Sequence, residues 1–190
     1  MPSPAPCDCP ACPNQFSARA AEDGLERYLR RGPDPTTRAL VEAIAAEGVV
    51  GATLLDIGGG IGAIQLELLS AGIASAESVD ASAPYIVVAE AEATRRGFGD
   101  RTTHRVGDFV AIGNEISAAD IVTLDRMVCC YGDASALVGA SVAHARRMIG
   151  LVYPRDDWWV RAIATVMNSG ERVLRRPLCW YIHACRPSMP

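Results

Sequence analysis

The stretch from Thr53 to Ile64, T-L-L-D-I-G-G-G-I-G-A-I, constrains this chain more than any other. An apolar run of Leu54, Leu55 and Ile57 carries one acid, Asp56, and breaks into Gly58, Gly59, Gly60 and Gly62 before a helix-like pattern begins. That order predicts a strand, a tight turn and a helix. Glycine has no Cβ and tolerates positive φ, so such a turn lets backbone N–H groups come close to a ligand at a helix N-terminus.

Around this turn the pattern alternates. Two helices are expected first: one over Ser17 to Arg31, stopped by Gly32-Pro33, and one capped at Pro35-Thr36-Thr37 and ending before Gly48. After the turn come a helix to Gly72, a strand Ala76 to Val79, a helix Pro84 to Arg96 and a strand Thr102 to Val106. A buried strand, Asp120 to Leu124, a helix Ala134 to Arg147 and a strand Met148 to Tyr153 follow. Trp158 to Val173 has the spacing of another helix, and Trp180 to His183 could begin a sixth strand. The expected fold is α/β: a Rossmann-like, doubly wound, mainly parallel sheet with helices on both faces and a short or incomplete C-terminal strand pair. Residues 1–15 read as a flexible Pro/Cys-rich arm, and residues 16–190 as one domain with a helical cap over 16–48.

Composition narrows the function. With 49% apolar and 21% charged residues the chain is expected to be a folded, soluble domain. A net charge of −4 with scattered Arg offers no basic face, so no nucleic-acid partner is expected. No apolar run is long enough to span a membrane and no signal peptide is recognisable, which makes a cytoplasmic location the expectation. The seven Cys are odd in number and are read as reduced thiols. Cys7, Cys9 and Cys12 lack the fourth ligand that zinc requires, so no metal site is expected. Cys129-Cys130 is read as small packing, because adjacent Cys bridge only with strain. His144 is read as a surface or helix-end residue, His104 as part of a strand and His183 as near the terminus, none of them a ligand, while Trp158 and Trp159 either line an acceptor pocket or cover the sheet.

In a doubly wound sheet the ligand lies beyond the carboxyl ends of the strands, and here those ends carry Asp56, Asp80, Asp108 and Asp125. A dinucleotide site also uses a glycine turn with an acid about 20 residues on. Asp56, however, two residues before the first glycine, would stand near the pyrophosphate, where like charges repel. A cationic cofactor without phosphate suits the four acids better. S-adenosylmethionine, with an ammonium, a sulfonium and a ribose diol, has that character.

On the turn, on Val79-Asp80, on Gly107-Asp108-Phe109 and on the strand Ala119 to Asp125, the sequence resembles the class I S-adenosylmethionine-dependent methyltransferases. The likeness runs over Thr36 to Pro154; the tract Leu124 to Tyr131 and the early Arg-rich helix are similar to the small bacterial magnesium-protoporphyrin O-methyltransferase-like group. The resemblance implies that Asp56, Gly58, Gly59, Gly60 and Gly62 border the methionine end of the cofactor, Asp80 bonds the ribose hydroxyls and Ala81 borders the adenine. It further implies that Asp108 accepts from the adenine amine with Phe109 against the ring, and that Asp125, Arg126 and Met127 lie near the reacting methyl. Asp125, Tyr131 and Tyr28 are the candidate bases, should the acceptor need one. The expected activity is methyl transfer to the oxygen or nitrogen of a small molecule. The alternatives are a noncatalytic binder of the same cofactor, motivated by the short C-terminus, and a dehydrogenase. An open sheet edge would favour a homodimer.

Overall fold

The computed structural model describes residues 16–128 and 131–152. Five parallel strands form one sheet in the order β3-β2-β1-β4-β5: β1 Thr53–Ile57, β2 Ser75–Asp80, β3 Thr102–Val106, β4 Ala119–Asp125 and β5 Ala145–Val152. The chain winds outward from β1 to β3, then crosses back to β4. The reversal between β1 and β4 is the point where open α/β sheets form a crevice.

Alternation along the strands sorts the two faces. Leu54 and Ile121 point to one side and pack with Ile44, Leu68 and Ile73. Leu55, Ile57, Val122 and Leu124 point to the other and pack with Phe109 and Leu137. Helices α2 (Pro35–Ala46) and α3 (Ala63–Ser70) contribute to the first cluster, whereas α5 (Phe109–Ile112) and α6 (Ala134–His144) contribute to the second. Helix α1 (Ala18–Arg31) lies against α4 (Ala83–Arg95). β1 and β4 are buried almost throughout, as strands covered on both faces must be.

Two expectations need correction. Pro35 is the first residue of α2 and Asp34 holds the cap position, so Thr37 is already inside the helix. Thr37 caps nothing; its hydroxyl crosses to Asp125. The helix expected to reach Arg147 ends at His144, and β5 begins at Ala145 rather than Met148. A register shift lies between the pairs Ala119↔Ala145 and Ile121↔Met148, which inserts one extra residue into β5 at Arg146-Arg147. The exposed arginines bulge away, and Arg147 donates to the carbonyls of Glu47 and Gly48 at the end of α2.

The cap helices are pinned to the body by specific contacts. Ser82 Oγ donates to the Phe16 carbonyl at 3.0 Å, and the Phe16 ring meets Tyr85 edge-on at 6.1 Å. Tyr28 donates to Glu67 on α3 at 2.7 Å while Arg96 stacks over its ring at 5.0 Å. Helix α1 therefore roofs the carboxyl end of β1. The arm 1–15, the pair Cys129-Cys130 and the helix and strand expected beyond residue 152 lie outside the described residues. Among the described residues no helix is long and apolar enough to cross a membrane.

Candidate functional site

A cleft of about 240 Å³ opens between the glycine turn and the cap helices, with Tyr28, Thr37, Asp56, Gly60, Tyr85 and Asp125 among its walls. Local chemistry explains why the turn adopts its shape. Gly58, Gly60 and Gly62 have φ of 68°, 54° and 80°, a region that costs side-chain-bearing residues roughly 1 kcal/mol or more. Their N–H groups are used inside the protein: Gly58 donates to the Val79 carbonyl at 2.7 Å, Gly62 to the Gly59 carbonyl at 2.9 Å, and Gly60 to Asp80 Oδ2 at 3.0 Å. Three of the four glycine N–H groups expected to face a ligand are thus bonded within the protein. Their role is conformational, and the carboxylate at the end of β2 is bound to the turn itself.

Gly59 is needed for closeness rather than for its φ. A Cβ there would stand 2.7 Å from Asp56 Oδ2, 2.8 Å from Gln65 Nε2 and 2.9 Å from Ser78 Oγ. These side chains are buried, so none can swing into solvent. Gly59→Ala is expected to cost about 1–3 kcal/mol, read as a lower urea midpoint. A variant as stable as the wild type would show that the turn does not rest on this polar layer.

Asp56 is the centre of that layer. It is 1% exposed, accepts from Thr123 Oγ1 at 2.7 Å and is bonded by Gln65 Nε2 at 3.2 Å. Burial outweighs these hydrogen bonds, and the nearby Asp125 and Asp80 add to it, raising the carboxyl from 3.8 to about 6. The sequence reading placed Asp56 against the ligand, and it does border the cleft. Yet the structure sets it beneath the turn, with both oxygens engaged. Gln65 and Thr123 were missed, although Thr123 is a lone polar residue in the apolar run Ile121 to Leu124.

Asp80 ends β2 beside the glycine turn. Ser82 N donates to Oδ1 at 2.8 Å and Gly60 N to Oδ2 at 3.0 Å, while burial raises its pKa against those bonds. Each oxygen keeps acceptor capacity for a further donor. Asp125 accepts from Thr37 Oγ1 and pairs with Arg126, which also reaches Asp34 at 2.9 Å. Arg126 holds φ of 58°, strained for a non-glycine residue, in the turn that follows β4. This cluster ties the start of α2 to the end of β4. Thr37, read from sequence only as part of a cap, and Asp34, which the sequence analysis passed over, are the residues that bring the cap to the site.

Five further expected residues line a second, smaller hollow that shares Gly58 with the cleft. Asp108, Phe109, Ala81, Met127 and Tyr131 line it together with Leu137. Asp108 caps α5 by accepting from Val110 N at 3.0 Å, and Phe109 is held edge-on by His144 at 5.1 Å. His144 in turn sits between two carbonyls, with Nδ1 2.7 Å from Ala140 O and Nε2 3.0 Å from Gly113 O.

None of the three candidate bases stands free. Tyr28 donates to Glu67, and Tyr131 donates to Asp108 at 2.9 and 3.0 Å. Burial, followed by those carboxylate bonds, pushes both phenols well above their ordinary range, so both stay protonated. Asp125 already serves Thr37 and Arg126.

No protein-family model and no curated protein sequence matches the chain. Solved structures do. Magnesium protoporphyrin IX methyltransferase from Synechocystis PCC 6803, solved with bound S-adenosylhomocysteine, superposes with a TM-score of 0.65 at 18% identity, covering 92% of this chain and 82% of that one. An O-methyltransferase family protein from Burkholderia thailandensis gives 0.65 at 18% identity over 90% of this chain and 53% of its own. The [4+2]-cyclase SpnF matches at 0.52 and 17% identity, over 60% of this chain and 43% of the cyclase. The chain thus spans only about half the length of the Burkholderia protein and less of the cyclase. At such identities the likeness is one of architecture, and it agrees with the strand order and the glycine turn described above. The chain has the fold of the class I S-adenosylmethionine-dependent methyltransferases.

Proposed function

We propose that the protein is an S-adenosylmethionine-dependent methyltransferase that acts on a small-molecule acceptor. The observation that carries this reading is the bond from Gly60 N to Asp80 Oδ2 at 3.0 Å. A pyrophosphate would need that N–H, and it would meet Asp80 there with Asp56 and Asp125 close behind. Repulsion in a partly dehydrated cleft opposes a dinucleotide and favours a cation.

The residues present fit the cofactor. Asp80 keeps acceptor capacity for the ribose diol, Asp56 and Asp125 give the cleft a negative field for the ammonium and sulfonium, and Gly58 to Gly60 leave room for close approach. Asp108 is assigned to the adenine amine, with Phe109 and Ala81 beside the base. When bound, the cofactor supplies a methyl group on a sulfonium, an electrophile that needs alignment more than activation. The chain's own part is to hold the cleft shape through α1 and α2, exclude water and orient the acceptor. Because Asp125, Tyr28 and Tyr131 are all engaged, the acceptor is assigned to groups with an available lone pair near neutral pH: a carboxylate, a thiolate or an unprotonated amine.

Isothermal titration with S-adenosylmethionine, S-adenosylhomocysteine and NAD is expected to show binding of the first two only. NAD binding with no response to the others would overturn the reading. The engaged base candidates also suit a binder without turnover. Incubation of methyl-labelled cofactor and protein with a metabolite extract separates the two: a labelled product identifies the acceptor, and its absence across carboxylate, thiol and amine acceptors favours the binder.

A further inference from the structure

The two halves of the site differ in room. The cleft under the cap helices holds about 240 Å³, whereas the hollow at Asp108 holds about 10 Å³. The smaller figure is at most about the space of one water and far from that of a bicyclic base. The occupant is part of the chain. Tyr131 is 6% exposed, lines the hollow, and donates its hydroxyl to Asp108 at 2.9 Å from Oδ1 and 3.0 Å from Oδ2. Oδ1 also accepts from Val110 N, so the helix cap and the phenol's one proton occupy that oxygen, and the hydroxyl stands within reach of Oδ2 as well. Met127 adds to the closure: its Sδ would lie 2.6 Å from a Cβ on Gly58, close against the turn.

We propose that Tyr131 is an internal competitor for the adenine subsite: in the ligand-free protein its hydroxyl takes the Asp108 acceptor and its ring fills the slot, so that cofactor binds only a minor form in which Tyr131 has turned away. The inference rests on the assignment of Asp108 to the adenine amine. Its energetic content is a population term. A ligand that binds only an open form has its apparent affinity and its association rate reduced by the fraction of protein in that form, while its dissociation rate is set by the bound state alone. Tyr131 is thereby a residue that sets cofactor affinity, rather than the base considered from sequence. Its phenol remains protonated near neutral pH and so remains a donor to Asp108.

The test is stopped-flow binding of S-adenosylhomocysteine to the full chain and to Tyr131→Phe, which keeps the ring and its packing. Removing a hydroxyl bonded to a carboxylate is expected to raise the association rate about tenfold, with dissociation changed less than about twofold. A second variant, Tyr131→Leu, removes the ring as well and is expected to associate at least as fast as the Phe variant. Its fold is checked by circular dichroism. Slower association, or faster dissociation with association unchanged, would mean that Tyr131 holds Asp108 in place for the ligand, and would overturn the inference. If the wild type binds neither S-adenosylhomocysteine nor S-adenosylmethionine, the proposed function falls and the inference with it. If the wild type binds and neither variant associates faster, only the inference falls.

Discussion

Asp80→Ala is expected to weaken S-adenosylmethionine binding by about 1.5–3 kcal/mol, roughly a ten- to hundredfold rise in Kd. Two losses combine. On the proposed assignment the ribose diol forfeits its charged acceptor, and Gly60 N and Ser82 N forfeit the carboxylate that both now use. The second loss reaches the turn itself, so a drop in stability accompanies the loss of affinity. Asp80→Asn does not rescue the site, because one of its two amide atoms must face a backbone N–H as a fellow donor. Titration calorimetry on the folded variants is the measurement. Wild-type affinity in Asp80→Ala would remove this carboxylate from the site.

Asp56→Asn is expected to stabilise the ligand-free protein at neutral pH, by an amount on the order of 2–3 kcal/mol. The sign follows from where the proton resides. The folded carboxyl titrates at about 6, above its ordinary 3.8, so between those values the folded state binds the proton more tightly than the unfolded chain does. The contribution of Asp56 to stability is therefore fully present below about pH 4 and is lost as the pH rises through 6. An amide stays neutral throughout. It keeps the Thr123 hydroxyl as donor, and Gln65 satisfies its NH₂ by turning its own amide over. Urea unfolding at pH 4.5 and 7.5 should show the variant gaining on the wild type as pH rises. A variant less stable than the wild type at the higher pH would sink this account.

The same carboxyl links pH to ligand binding. A cationic cofactor favours the ionised form of Asp56, so its binding releases a proton and tightens as the pH rises from 5 to 7. Calorimetry in buffers of different ionisation enthalpy detects that proton. Asp56→Asn should abolish both the release and the pH slope while lowering the affinity itself.

Much of the architecture was legible because each local signal agreed with its neighbours. The run Thr53–Ile57, closed by glycines and followed by Ala63–Ser70, reads the same way by apolar pattern, by turn chemistry and by helix propensity. β3 was expected at Thr102–Val106 and lies there. The end of α6 was not legible. His144-Ala145-Arg146-Arg147 continues a helical pattern, and only pairing of Ala145 with Ala119 across the sheet pulls those residues into an extended strand. Propensity yields there to a hydrogen-bonded neighbour far away in sequence.

At the site the division is sharper. Asp56, Asp80, Asp108 and Asp125 were identifiable as strand-end acids, since a parallel sheet must bring those ends to one edge. Their different states were not identifiable from sequence. Burial, and what each oxygen faces, make Asp56 a largely proton-holding group below pH 6, Asp80 a clasp on Gly60, Asp125 the partner of Thr37 and Arg126, and Asp108 the acceptor taken by Tyr131. Gly60, Tyr131 and Thr37 lie 20, 23 and 88 positions from the carboxylates they bond.

The sequence by itself determined the strand–turn–helix at Thr53 to Ile64, the order of strands and helices along the chain and the gathering of four acids at the strand ends, because these follow from periodicity, glycine and the edge to which a parallel sheet brings its strand ends. Only the tertiary structure decided that the N–H groups of Gly58, Gly60 and Gly62 go to Val79, Asp80 and Gly59, that the cap helices are fastened by Thr37, Asp34 and Tyr28, and that Tyr131 donates to Asp108. The physical reason is that a side chain's chemistry is set by burial and by hydrogen-bond partners, and both depend on which distant residues the fold brings within about 3 Å.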